Sequence, residues 1–216
     1  MTAAKTKSAA RKNRRSPRTA RRGHEERLEH ILGVAARVFA DEGYEKASIR
    51  KIASKLNGSL SALYYYVKSK EELLFRIQHH TFDSLARALK AKIRGVTDPE
   101  EKIRLMVENH LEHFLSHISE LKVCSHELES LTGQAYRKVL EVRREYFRVT
   151  LGIIKEIRKK RGASGPNSHL AVLHLFGMLN WIYMWYDPEK NPSGRKLSEQ
   201  LSSLFLNGFL PRISRT

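Results

Sequence analysis

The chain has 216 residues, 41% of them hydrophobic, which suits one or two ordinary folded units with a buried core. Forty Lys and Arg against 23 Asp and Glu give a formal net charge of +17, pointing to a polyanionic partner, nucleic acid ahead of an anionic membrane. A single cysteine, Cys124, excludes an internal disulfide and fits a reducing, cytoplasmic location, and no apolar segment of the secretory-signal type opens the sequence.

Residues 1–23, MTAAKTKSAARKNRRSPRTARRG, hold nine Lys and Arg and no acid. No bulky apolar residue lies between Met1 and Leu28, so the segment has no face to bury. It is expected to be a disordered basic arm that tracks phosphates or dips into a minor groove, with a plain solubilising tail as the alternative. The remaining 31 basic and 23 acidic residues leave the rest of the chain at +8.

From residue 24 the pattern becomes helical. Leu28, Ile31, Leu32, Ala35, Val38 and Phe39 recur at three and four residues, one face of an amphipathic helix that Gly43 ends in a left-handed turn. Ser48 caps a second helix with Ile49, Ile52, Ala53 and Leu56 inward. Asn57-Gly58 signals a turn, and Ser59 caps a third short helix through Tyr66. Ser69 and Glu72 have capping-box spacing and open a longer fourth helix. No alternating run of strand length occurs, so the chain reads as all-α, with residues 24–74 as a helix-turn-helix domain and 75–216 as a second, helical domain for ligand binding and dimerisation.

In a helix-turn-helix the second helix enters the major groove, and its flanks touch phosphates. Tyr64, Tyr65 and Tyr66 stand about 100° apart around such a helix, so they cannot share a face. One packs inward while its neighbours look toward DNA, a boundary that suits a phenol with a burying ring and a donating hydroxyl. Lys70, in the first turn of the next helix, adds a cation where the helix N-terminus already attracts phosphate.

The stretch ASIRKIASKLNGSLSALYYYVKSKEELL, residues 47–74, resembles the N-terminal signature of the TetR family of bacterial transcriptional regulators. It has the Ser cap, the Ile-Ala pair, the turn, Leu-Tyr with large residues after it, and Ser-Lys-Glu-Glu-Leu; the match runs without a gap from about Arg27. The resemblance implies a homodimer on a double-stranded DNA operator, with Ser48, Arg50, Ser61, Ala62, Tyr64, Tyr65, Tyr66 and Lys70 at DNA-contacting positions. Tyr64 and Lys70 would grip phosphates, while Arg50, Leu60, Ser61, Ala62 and Tyr65 would face bases or nearby backbone. Three departures stand out: Asn57-Gly58 replaces Gly followed by Val or Ile, Ala62 replaces a frequent Thr, and Val67 stands where an aromatic is usual. Leu60 then either turns inward beside Leu63 and Val67 or faces the groove against a thymine methyl. With few base-specific donors, affinity is expected to rest on phosphates and to fall steeply with salt.

Further on, TDPEEKI (97–103) starts a helix with Pro99 in its first turn, running to about His117. A shorter helix spans 119–131, and Gly133 precedes a long one to about Lys160. GASGPNS (162–168) is a linker, Leu170 to Tyr186 a strongly apolar helix, DPEKNPSGR a loop, and Leu197 to Leu210 the last helix. The 170–186 run is short for a membrane span and carries His174 and Asn180, so it is expected to be buried on several sides in a protein with no membrane partner. The family resemblance implies that this helix and the last one, through Leu201, Leu204, Phe205 and Phe209, pair with their twins in a four-helix dimer interface.

Residues 124–156, with the later NWIYMWYDP, are similar to acyl-CoA-responsive members of the family that control fatty-acid degradation, although Met184 stands where those relatives often carry a basic residue. Such a ligand needs an apolar slot and cations for its phosphates. Leu111, Phe114, Leu115, Phe147, Leu151, Met178, Trp181 and Trp185 could line the slot, and Arg137, Arg143, Arg144 and Arg148 could supply the cations. Aromatics at helical spacing are more often core, and a drug-like or steroid-like apolar molecule would suit the same slot. His110, His113 and His117 have chelating spacing, yet no HExxH, clustered Cys or G-x-S-x-G motif accompanies them, so neither a metal, a cofactor nor an enzyme is expected. A non-specific DNA-packaging protein would also be this basic, but it would have no use for some 140 residues beyond the helix-turn-helix.

Overall fold

The computed structural model describes residues 17–162 and 167–208, which form nine α-helices and one 3₁₀ turn without a strand among the described residues. Helix α1, Pro17–Glu42, begins inside the segment expected to be a disordered arm. Ion pairs one turn apart, Arg21–Glu25 and Arg22–Glu26 (both 2.9 Å), support residues that have no apolar face to bury. The rest of that expected arm, residues 1–16, lies outside the described residues.

Helix α1 ends where Gly43 takes φ +81°, a conformation that costs little without a Cβ. Helices α2 (Ile49–Lys55), α3 (Leu60–Tyr64) and α4 (Lys70–Lys92) each start from a serine whose hydroxyl accepts a backbone N–H. The bonds are Lys51 to Ser48 at 3.2 Å, Ala62 to Ser59 at 3.1 Å and Glu72 to Ser69 at 3.0 Å, each stabilising by about 1 kcal/mol. Between α2 and α3 it is Asn57, at φ +50°, that takes the left-handed position. Helix α3 is shorter than its sequence suggests: Tyr65 and Tyr66 lie in the turn that follows. The Glu72 carboxylate turns back to the Lys68 N–H at 2.6 Å and also holds Arg76, completing the capping exchange one residue earlier than in the usual box.

Helices α5 (Pro99–Ser116), α6 (Ile118–His126), α7 (Gly133–Arg161), α8 (Ser168–Asn180) and α9 (Gly194–Asn207) build the body. Helix α6 stops at His126, earlier than expected, and residues 127–132 turn into α7. The apolar run 170–186 is not one helix. Its α-helical part closes at Asn180 and tightens into a 3₁₀ turn, Trp181–Met184, which sends Ile182 into the core and leaves Trp181, Met184 and Trp185 outside. The start of α5 and the end of α7 are clamped together: Asp98 pairs with Lys160 at 2.6 Å and Glu100 with Arg161 at 2.7 Å. Among the described residues no helix is long and apolar enough to cross a membrane.

Two apolar cores result. The first joins α1, α2, α3 and the start of α4, but it also takes in Val123, Leu131 and Val139 from the body. The second gathers the rest of α4 with α5, α7, α8 and α9. The boundary expected at residues 74/75 falls inside unbroken α4, which crosses from one core to the other. A displacement in the body therefore has a rigid lever, and a shared apolar seam, through which to reach the head.

Candidate nucleic-acid interface and ligand cavity

From Lys46 to Lys70 the chain carries Lys46, Arg50, Lys51, Lys55, Lys68 and Lys70 and no acid. The α2-turn-α3 unit presents this segment outward. Ser48, Arg50, Ser61 and Ala62 are exposed, Tyr64 is 50% exposed and Tyr65 75%. Tyr66 is half-buried against the head core and stacks on His24, with ring centroids 4.8 Å apart. The three phenols thus divide as their angular spacing requires, two outward and one inward. His24 had no signal in the apolar pattern; it meets Tyr66 because α1 passes beside the end of α3.

Two expected contacts are altered. Leu60 packs half-buried against the head core, so it fills the space left by Asn57-Gly58 instead of facing the groove. Lys70 is not a free cation for a phosphate. Its ammonium donates to the Tyr44 carbonyl at 2.9 Å and the Glu45 carbonyl at 3.2 Å and lies 4.2 Å above the Tyr44 ring. An ammonium has a third donor to offer DNA, but two of them tie the start of α4 to the loop after α1.

In the body, a cavity of about 380 Å³ opens between α4, α5, α7 and α8. Its walls are Phe82, His110, Arg143, Arg144, Tyr146, Phe147, His169, Leu173, Phe176 and Asn180. Of the residues expected around a ligand slot, Arg143, Arg144 and Phe147 are here. Leu111 and Phe114 are fully buried in the second core, and Leu115 packs half-buried against it. Leu151 and Met178 line other hollows, the first beside Lys155 and His169, the second beside His174 and Phe205. Arg137 is exposed away from the cavity, and Arg148 pairs with Glu145 at 3.1 Å. Trp181 and Trp185, 58% and 45% exposed, lie on the outer surface because the chain leaves the α-helix at Asn180.

The cavity's chemistry is mixed. Burial pushes the His110 imidazole down to about 3, with repulsion from His113 adding to it and the Asn180 side chain opposing, so His110 is neutral at pH 7. Burial likewise raises the Tyr146 hydroxyl and pushes the Cys124 thiol up to about 12, only partly countered by Arg143, which leaves Cys124 inert as a nucleophile. His113 stacks on His117 at 4.9 Å, with its Nε2 3.4 Å from Glu120. Among the described residues no three metal-ligating groups converge.

Comparison with known proteins agrees with both regions. Residues 31–77 match the profile described as "Bacterial regulatory proteins, tetR family", and residues 96–209 match "Tetracyclin repressor-like, C-terminal domain". The chain is 23% identical over 185 residues to the fatty acid metabolism regulator protein of Bacillus subtilis (strain 168), covering 82% of this chain and 93% of that one. A TetR-family transcriptional regulator from Bordetella parapertussis 12822 superposes with a TM-score of 0.78 at 28% identity, over 86% of this chain and 96% of that one. AibR, solved in complex with isovaleryl coenzyme A and operator DNA, shares the fold with a TM-score of 0.73 at 22% identity, over 82% and 97% of the two chains. The helix-turn-helix head, the helical body and these matches together show that the chain belongs to the TetR family of bacterial DNA-binding transcriptional regulators.

Proposed function

We propose that the chain is a homodimeric repressor that leaves its operator when an acyl ligand, such as a fatty acyl-CoA, enters the cavity between α4, α5, α7 and α8. The observation that carries this reading is the cavity itself: aromatic walls from Phe82, Phe147 and Phe176, with Arg143 and Arg144 beside them. Its volume lies at the low end of the ~300–1,000 Å³ of small-molecule sites, room for an acyl chain but not for a nucleotide as well. The CoA moiety would lie outside, where Arg144 is exposed. The likeness to a fatty acid metabolism regulator, and to a fold-mate solved with an acyl-CoA and operator DNA, supports the same ligand class.

The DNA side follows from the head. Arg50, Ser61, Ala62, Tyr64 and Tyr65 form the outward face of the reader unit, with Ser48 at its cap. Two such units read a palindrome when a two-fold dimer holds them about 34–36 Å apart. The surface suited to that dimer is apolar and exposed: Leu170, Leu173, Trp181, Met184, Trp185 and Leu204, from α8, the 3₁₀ turn and α9. Leu201 and Phe205 are half-buried in the second core behind it, and Phe209 lies outside the described residues. Helix α4 links the two sites, with Phe82 on the cavity wall and Lys70 at the head. A tenfold loss of operator affinity needs the ligand to prefer the released arrangement by about 1.4 kcal/mol.

Fluorescence anisotropy of an operator duplex, selected by the protein from a random pool, tests this reading. Dodecanoyl-CoA at micromolar concentration should dissociate the complex while free CoA does nothing. A complex untouched by dodecanoyl-CoA would contradict the acyl-ligand assignment and leave the DNA-binding assignment standing.

A further inference from the structure

Arg143 is the one charged side chain that the body carries largely inward beside the cavity without a carboxylate pairing with it among the described residues. Its guanidinium meets the Phe82 ring at 4.7 Å, donates to the Cys124 carbonyl at 2.9 Å, and borders the cavity. None of these is an anion. Burying an uncompensated cation is costly, and burial accordingly pulls the Arg143 pKa below the usual arginine value. A guanidinium is a fork of several N–H donors, and most of this fork is unused. On the same cavity, fully buried His110 has its Nε2 without a hydrogen bond. Its Nδ1 faces the Tyr146 hydroxyl at 3.5 Å. If that hydroxyl donates to Nδ1, the neutral ring keeps its proton on Nε2, a second donor on the cavity wall beside the Asn180 side chain. The cavity is thus apolar over most of its wall, with an under-used cation at Arg143.

What Arg143 holds matters as much as what it lacks. Cys124 belongs to α6, and one turn further along the chain Glu127 reaches the head. The Glu127 carboxylate accepts the Tyr44 N–H at 3.2 Å and the Ser130 hydroxyl at 2.8 Å, and its carbonyl accepts from the Gln78 amide at 2.9 Å. Tyr44 is the residue whose carbonyl Lys70 grips. Val123, beside Cys124, is buried in the head core. A continuous set of contacts therefore runs from the cavity through Arg143 and α6 to the loop between α1 and α2.

We propose that Arg143 is the ligand-sensing residue: an acyl chain lies in the cavity with its carbonyl-bearing end at Arg143 and His110, and the guanidinium, drawn to that oxygen, loosens its hold on the Cys124 carbonyl and lets α6, Glu127 and the Tyr44 loop shift. This rests on the acyl-ligand reading above and adds the group that is recognised and the route by which it is reported. The recognised chemistry is an acyl oxygen, either the carboxylate of a free fatty acid or the thioester carbonyl of its CoA ester; the ionised form gives the stronger pull.

The test uses the full chain. Calorimetric binding of dodecanoic acid, dodecanoyl-CoA and 1-dodecanol is measured alongside operator anisotropy at saturating ligand, for the wild type, Arg143→Gln, Arg143→Lys and Glu127→Ala. The wild type should lose at least about tenfold in operator affinity with an acyl compound, and 1-dodecanol should bind without that loss. Arg143→Gln should bind acyl compounds about tenfold more weakly and, once saturated, release the operator by about twofold or less, with Arg143→Lys in between. Glu127→Ala should keep ligand affinity and lose release, so it carries the test even if Arg143→Gln does not fold. Release by the acid alone, or by the thioester alone, supports the proposal and names the source of the oxygen. Equal release in the wild type, Arg143→Gln and Glu127→Ala, or release by 1-dodecanol, overturns it while the function proposed above stands. No release of the wild type by either acyl compound overturns both.

Discussion

In the head, the outward-facing residues lie within one short span, Ser48 to Tyr65, and a reader helix of five residues carries much of that face. In the body, the cavity walls are gathered from Phe82 on α4 to Asn180 on α8, four helices whose relative rotation no local pattern sets. The head must fit one rigid, repetitive partner, so its caps, turn and polar face are tied to one another at fixed spacing. The body has only to enclose a volume, and many packings of apolar helices do that. The head is therefore legible from local spacing alone, and the body becomes legible only once helix rotation is known.

The largest effect is expected at the body's outer surface. Replacing Trp181 and Trp185 together by Glu places charge in the exposed apolar patch. The expected outcome is a monomer by light scattering, with operator affinity lowered on the order of a hundredfold because the two reader units no longer bind as one. A dimer of unchanged affinity would move the interface elsewhere.

A smaller effect is expected in the head. Tyr64→Phe removes only the hydroxyl of a half-exposed residue. It should weaken operator and random duplexes alike by roughly three- to tenfold, about 1 kcal/mol, and leave dimerisation intact. Equal affinity for both proteins would remove the phosphate contact assigned to Tyr64.

The smallest effect concerns the body's interior and is read as a dependence on pH. His110 has a native pKa of about 3 against an ordinary 6.5. The unfolded chain takes up a proton below pH 6.5 that the native chain refuses, so His110 contributes stability that is present at neutral pH and lost as pH falls from about 6.5 toward 3. The drop in Tm between pH 7 and pH 5 should therefore be smaller in His110→Gln than in the wild type. Equal drops would mean that the native imidazole titrates normally.

Local rules carried much of the fold. Ser48, Ser59 and Ser69 accept the backbone bonds that their side-chain type implies, and Gly43 takes the left-handed turn. Apolar spacing places Ile31, Phe39, Ile52 and Leu63 inward. The failures share one cause, which is that tertiary contacts decide what local pattern cannot. Helix α1 reaches back to Pro17 on charge pairs, not apolar ones. Leu60 could point either way by its own periodicity, and the head core takes it. Lys70 is drawn to the Tyr44 and Glu45 carbonyls, a partnership across 25 and 26 residues that no motif spells out. In the body, Trp181 and Trp185 are among the aromatics expected along the slot, and the 3₁₀ turn after Asn180 leaves both on the outer surface. Asn180 is legible as a polar residue in an apolar run, whereas His110, in the polar stretch ENHLEH, gives no sequence sign of the cavity.

Competition between an acyl ligand and the operator through one conformational equilibrium can be read by calorimetry on two samples. Dodecanoyl-CoA is titrated into the free protein and into the protein saturated with operator duplex. Linkage requires that the factor by which ligand weakens DNA binding equals the factor by which DNA weakens ligand binding. Ligand affinity should be lower by about tenfold or more in the operator-bound sample, matching the loss of operator affinity measured by anisotropy. Equal ligand affinity in the two samples would contradict it, because a ligand indifferent to the DNA-bound state cannot release the protein from DNA.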